Sequence, residues 1–159
     1  MTDLAALPYR LNVGAALFGP DGRVLVGRRV GLDAWQLPQG GIDAGEDPRV
    51  AVFRELREEI GTDRAEILAE HPDWLDYDLP PEIIQRSKHF KNRFRGQRQK
   101  WFALRFLGVD ADVDLAADQH PEFDAWKWVG LSELPGLAVA FKRNIYEVIA
   151  RDFAEFARR

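Results

Sequence analysis

Three glutamates, Glu55, Glu58 and Glu59, stand within RELREEIG at residues 54–61. On an α-helix, residues three and four apart share a face, so Glu55 neighbours both Glu58 and Glu59, and like charges at that spacing destabilise the helix. Phe53, Leu56 and Ile60 recur at the spacing of a buried stripe, which places the three carboxylates together on a side facing away from it. A divalent cation would turn that repulsion into attraction. An all-oxygen cluster without Cys or His suits a hard ion such as Mg²⁺ or Mn²⁺, and Mg²⁺ tends to keep waters and share phosphate oxygens. Taken alone, the stretch also fits a solvent-facing helix of good helix formers, with Arg54 and Glu58 as an i,i+4 pair.

The surrounding residues separate these two readings. Gly40, Glu46, Arg54, Glu55, Leu56, Glu58, Glu59 and Gly61 fall at spacings that resemble the Nudix box of nucleoside-diphosphate-linked hydrolases. Average residue usage would produce such a match in roughly one chain in ten million, so coincidence is set aside. Thr62 departs from the pattern, which usually has an aliphatic residue there, but Thr keeps the branched shape. The resemblance extends through YRLNVGAALF at 9–18, WQLPQGGIDAGEDP at 35–48, GQRQKWF at 96–102, PEFDAWKWV at 121–129 and FKRNIYEVI at 141–149. It points to the branch containing bacterial RNA pyrophosphohydrolases and asymmetric dinucleoside tetraphosphate hydrolases.

That resemblance implies an α/β (α+β) fold, an α/β/α sandwich around a mixed β-sheet, with the box forming a loop, a helix and a loop. It implies that Glu58 and Glu59 ligate Mg²⁺ or Mn²⁺, more than one ion, with Glu55 nearby and the Gly40 carbonyl as a backbone ligand. Arg54 would orient the glutamates, and Glu59 would accept a proton from the attacking water. Glu122, in PEFDAW, resembles the family's additional glutamate, which joins the metal site or activates water. Arg10, Arg29 and Lys142 match basic residues that approach polyphosphate or RNA, and Tyr77 and Phe141 match aromatic positions near the nucleotide. The residues alone also allow these arginines to reach water from strand ends, and Tyr77 and Phe141 to belong to a core stripe or strand face. Ala34 stands where some relatives have Ser.

Two substrates follow from the resemblance: a 5′-triphosphorylated or diphosphorylated RNA end, cleaved to a monophosphate as mRNA decay begins, or diadenosine tetraphosphate, cleaved to ATP and AMP. A third possibility, a nucleotide- or RNA-binding module with a relic box, conflicts with the retention of every box carboxylate together with Glu122. No obligate protein partner is implied.

The elements that must position these residues are legible in outline. At 159 residues and 46% apolar content, the chain has enough material for one hydrophobic core and is expected to form a single domain. It has no cysteine, no apolar run of bilayer-spanning length and no signal-like start in MTDLAALPYR, which predicts a soluble cytoplasmic protein. LNVGAALF and RVLVGR flank the turn Gly19-Pro20-Asp21-Gly22 and predict a hairpin. A loop follows from Trp35 to Gly45. Asp47 as N-cap, Pro48 in the first turn and Gly61 as stop predict a helix over 47–60. AEILAEHPDWLDYDL, interrupted at Pro72, QKWFALRFL and AWKWVGL read as strands, and residues 139–157 as one amphipathic helix.

The net charge of −4 conceals two runs. Residues 73–82 carry Asp73, Asp76, Asp78 and Glu82, whereas residues 86–100 carry seven Lys or Arg and no acid, interleaved with Phe90 and Phe94. The basic run offers phosphate contacts and stacking faces to a nucleic acid, or is a solvated loop. His71, His89 and His120 fall in loop-like settings and are expected at the surface rather than as ligands.

Overall fold

The computed structural model describes residues 4–86 and 93–158, so Lys88, His89, Phe90 and Lys91 of the basic run lie outside the described residues. The predicted hairpin forms from β1 (Tyr9–Phe18) and β2 (Val24–Arg29). The segment expected as a loop carries two short strands, β3 (Trp35–Gln36) and β4 (Gln39–Gly41), which pair with β2 and β1. Helix α1 (Pro48–Ile60) follows, and Pro72 separates β5 (Ala65–Glu70) from β6 (Leu75–Asp78) as expected. Helix α2 (Pro81–Arg86), β7 (Gly96–Phe106), β8 (Phe123–Val129), α3 (Leu134–Leu137) and α4 (Arg143–Asp152) complete the order.

All eight strands belong to one mixed sheet. β1 runs parallel to β7 from the Tyr9–Gly96 pair to the Phe18–Arg105 pair, while the other pairings are antiparallel. Because successive strand side chains point to opposite faces, β1 sends Val13, Ala15 and Leu17 to one side and Ala16 and Phe18 to the other. The first side packs with Phe102, Leu104 and the α1 residues Val52, Leu56 and Ile60. The second packs with Trp101, Ala103 and the α4 residues Ile145, Tyr146 and Ile149. Helices thus cover both faces of a sheet that is apolar on both sides, and the fold is α+β, as expected.

The tail does not form one helix. α4 ends at Asp152 and is flanked by 3₁₀ turns at Ala140–Lys142 and Ala154–Ala157. The break lets Phe153 and Phe156 turn onto the core: Phe156 packs on Phe18 at 6.1 Å between centroids, and Phe153 meets the His71 ring edge-on at 5.9 Å. His71 is therefore buried, not at the surface, with Nε2 2.7 Å from Asp152 Oδ2. His120 is exposed, as expected, and His89 lies outside the described residues.

The two charge runs meet. β6 and β7 pair with Asp76 opposite Arg98 and Asp78 opposite Gly96. Arg98 donates to both Asp76 oxygens at 2.9 Å, and Arg95 donates to Asp78 at 2.7 and 3.1 Å. Lys100 approaches Glu70 at 3.2 Å. Much of the positive charge in the described part of the basic run is thus matched by carboxylates across the ladder.

Candidate active site

Local signals set the helix that carries the glutamates. The Asp47 side chain accepts from the Arg49 N–H at 2.7 Å, which satisfies one of the free donors at the helix start. At the other end Gly61 adopts φ +74° and donates to the Arg57 carbonyl, a left-handed cap that a residue with a Cβ rarely adopts.

Between these caps the helix is buried on two sides. Leu56 and Ile60 face the sheet as expected, but Phe53 is only half-buried, and Glu55 and Glu59 turn inward, 9% and 3% exposed. Glu58 alone of the three faces solvent. The extra burial comes from β4, whose backbone presses against the helix: a Cβ on Gly40 would run into the Glu55 carboxylate. Glu59 lies beneath the same strand, where Oε2 accepts from the Gln39 N–H at 3.4 Å and Oε1 has no partner among the described residues.

Arg54 ties this region together. Its guanidinium donates to both Glu46 oxygens at 2.8 Å, to the Gly41 carbonyl at 2.8 Å, to Glu55 at 2.8 Å and to Glu58 at 3.2–3.3 Å. The planar fork spans four groups that a point charge could not serve together. Glu46, hydrogen-bonded to Arg54, is held down at about 2. Glu55 moves the other way, to about 7, because burial outweighs its bond to Arg54 and the charge of Glu58 adds to the effect. Burial also raises Glu59 well above the usual carboxylate range, helped by the charges of Glu122 and Glu55.

A polar cleft of about 170 Å³ opens beside this cluster, with Gly40, Glu55, Glu58, Glu122, Arg10 and Arg29 in its lining. Glu122 is brought there from the start of β8, where its carbonyl accepts from the Val30 N–H beyond the end of β2. Of the residues singled out in the sequence, Glu59 does not line the cleft but lies buried behind it. Among the described residues, no three carboxylate or imidazole side chains converge closely enough to form a ready-made cation site.

A second cleft of about 340 Å³ adjoins the first and gathers the other candidates, Tyr77, Phe141 and Lys142, with Leu32, Ile83 and Val139. Tyr77 and Phe141 stack at 5.8 Å and 30°. Burial lowers Lys142 to about 8, with the nearby Arg29 charge contributing. Its ammonium lies 5.6 Å from the Tyr77 ring centre. Ala34 also lines this cleft.

Sequence reasoning left four amides of these walls unassigned: Asn12, Gln36, Gln39 and Gln97. For Gln97 the signal was available in GQRQK, where Gln97 and Gln99 alternate with Arg98. Polar residues at both inward positions of a strand mark a wetted or ligand-facing stretch. Glu46 was noted for its spacing, but its role as the main partner of Arg54 needed the fold.

Glu55 gives a pH prediction. Its folded carboxyl, at about 7 against an ordinary 4.5, holds a proton that the unfolded chain has released, so stability falls as pH rises through that window. With divalent ions chelated, Tm should therefore drop between about pH 5 and pH 8, and Glu55→Gln should reduce the drop. An identical pH slope in parent and variant would show that Glu55 does not carry this effect.

Comparison with known proteins fixes the family. Residues 8–149 match the family model described as the NUDIX domain. The chain belongs to the NUDIX family. The RNA pyrophosphohydrolase of Acidiphilium cryptum is 60% identical to this Nudix chain over 163 residues, covering 99% of the chain and 98% of the relative. The RNA pyrophosphohydrolase of Gluconacetobacter diazotrophicus is 58% identical, covering 99% of each. Among solved structures, the E. coli dihydroneopterin triphosphate pyrophosphohydrolase superposes with a TM-score of 0.65 at 19% identity, covering 91% of this chain and 99% of that one. The C. elegans Ap4A hydrolase gives 0.63 at 21%, covering 91% and 98%. At those identities the structures establish the shared fold alone. Among the described residues, no helix is long and apolar enough to cross a membrane.

Proposed function

We propose that this Nudix chain, acting as a single domain, hydrolyses the phosphoanhydride of a 5′-triphosphorylated RNA end, releasing pyrophosphate and leaving a 5′-monophosphate. The observation that carries this reading is the junction of the two clefts. A carboxylate- and arginine-lined cleft suited to a polyphosphate opens directly onto one walled by Tyr77 and Phe141, which is suited to a base. The names of the relatives at 60% and 58% identity support RNA as the substrate, and a diphosphorylated end would lose phosphate by the same chemistry. The enzyme would work in the cytoplasm, where its RNA substrate is found, with no protein partner required.

The donor set fits a hard divalent cation. It consists of carboxylates and a backbone carbonyl with no thiolate or imidazole, and the buried Glu59 Oε1 lacks a partner among the described residues. Glu55, Glu58, Glu59 and Glu122, with the Gly40 carbonyl, would hold Mg²⁺ or Mn²⁺, in more than one ion. When bound, such ions neutralise the oxygens of the anhydride being cleaved and favour a nucleophilic water. The chain's own groups do the rest. Arg54 holds Glu55 and Glu58 in place, Glu59 accepts the water's proton, Arg10 and Arg29 bind phosphate oxygens, and Tyr77, Phe141 and Lys142 hold the nucleotide.

The deciding experiment compares kcat/KM on triphosphorylated RNA and on diadenosine tetraphosphate in one buffer. RNA is expected to be the better substrate, and a clear preference for the dinucleotide would replace this reading with a tetraphosphate hydrolase. Because Asp78 and Asp76 hold Arg95 and Arg98, neutralising Arg93, Arg95 and Arg98 together is expected to cost the two substrates equally, by about twofold or less. A loss confined to long RNA and shrinking with salt would show instead that these cations guide the chain.

A further inference from the structure

The two clefts share one wall, made by Arg29, Gln36, Gln39 and Gln97. On it, Gln36 Nε2 and Gln97 Oε1 have no hydrogen-bond partner among the described residues, although each residue is only 6% exposed. A buried amide atom left in this state costs free energy, so a group that satisfies it is bound with advantage.

At Gln36 the neighbouring charge fixes which amide atom is left over. Lys142 Nζ lies 3.4 Å from Gln36 Oε1, and an ammonium only donates, so a flipped Gln36 would set its NH₂ against a cation. Gln97 Nε2 donates to the Tyr77 hydroxyl at 2.6 Å, with Oε1 left without a partner among the described residues. Beside them, Gln99 Nε2 serves Asn12 Oδ1 and Gln39 Oε1, and Gln99 Oε1 accepts from the Trp101 indole, so that network is closed. Of the buried side-chain atoms on this wall, Gln36 Nε2 and Gln97 Oε1 remain without a partner among the described residues, and they are not bonded to each other.

An ionised phosphate offers only acceptors and would leave Gln97 unmet. A hydroxyl both accepts and donates. The wall also lies where the sugar must sit if phosphates occupy the carboxylate cleft and a base occupies the aromatic one. We propose that Gln36 and Gln97 form a ribose site: Gln36 Nε2 donates to a 2′-hydroxyl, which donates to Gln97 Oε1. Within an RNA chain the 3′-oxygen is esterified, so the 2′-hydroxyl is the sugar group free to do both, and it distinguishes RNA from DNA. The inference rests on the nucleotide-hydrolase reading above and assigns these amides to its substrate.

The test uses the full chain and three 5′-triphosphorylated trinucleotides: all-ribose, 2′-deoxy at the first nucleotide, and 2′-deoxy at the second. Affinity is measured by calorimetry without added divalent ions, and kcat/KM with Mg²⁺. One of the two deoxy ligands should bind the parent about tenfold more weakly than the all-ribose ligand. In Gln36→Met and Gln97→Met that ratio should fall to about twofold or less. Gln36→Glu removes the donor while keeping the length, and replaces the Met variant if that variant does not fold. Equal affinity of the three ligands for the parent overturns the site, as does a ratio that survives every substitution. Discrimination in binding without hydrolysis would overturn the hydrolase reading and leave the ribose site standing. Hydrolysis without discrimination would do the reverse.

Discussion

Glu59→Gln is expected to lower kcat on triphosphorylated RNA by about 10²- to 10⁴-fold, the range for removing a positioned acid–base group. The substitution keeps side-chain length and changes helix propensity little, so the fold should survive. Burial already raises the Glu59 carboxyl above its usual range, and the neighbouring charges of Glu122 and Glu55 reinforce this, so an uncharged amide there removes the cost of ionising the group. The variant should therefore be no less stable than the parent without divalent ions. KM should move far less than kcat, because Glu59 does not line the cleft and its proposed role is to take the water's proton rather than to hold the nucleotide. Equal kcat in parent and variant at saturating Mg²⁺ would remove Glu59 from the chemistry.

The second large effect belongs to Arg54. Arg54→Ala withdraws the shared partner of Glu46, Glu55, Glu58 and the Gly41 carbonyl. The Arg54 side chain is 20% exposed, so the ion pairs lie between surface and buried cases. A loss of about 2 kcal/mol follows, and for a chain of this length Tm should fall by about 4–8 °C. Activity should fall by about 10- to 100-fold, the usual cost of losing a group that orients ligating residues. Arg54→Lys separates charge from geometry. The ammonium restores one positive charge but cannot serve Glu46 and Glu55 with a rigid fork, so most of the activity loss should persist. Full activity in Arg54→Lys would show that charge alone matters at this position.

The sequence by itself determined the features that depend on near neighbours along the chain. Asp47 and Gly61 mark the ends of α1 because capping involves only the adjacent turn, and Gly19 to Gly22 mark the first hairpin for the same reason. The box spacing was enough to indicate the family because its residues lie on one short loop and one helix. The rest depended on packing between distant segments. Glu55 and Glu59 are buried because β4 covers them, and helical periodicity, which registers only apolar residues, assigned them to the outside. The acidic and basic runs neutralise each other because β6 and β7 pair with Asp76 opposite Arg98, a register no local signal contains. Phe153 and Phe156 belong to the apolar stripe that suggested one long tail helix, yet the chain breaks after Asp152 so that both can reach Phe18 and His71. The wall shared by the two clefts joins Gln36 from β3 to Gln97 from β7, strands 60 residues apart, and only the assembled sheet brings them together.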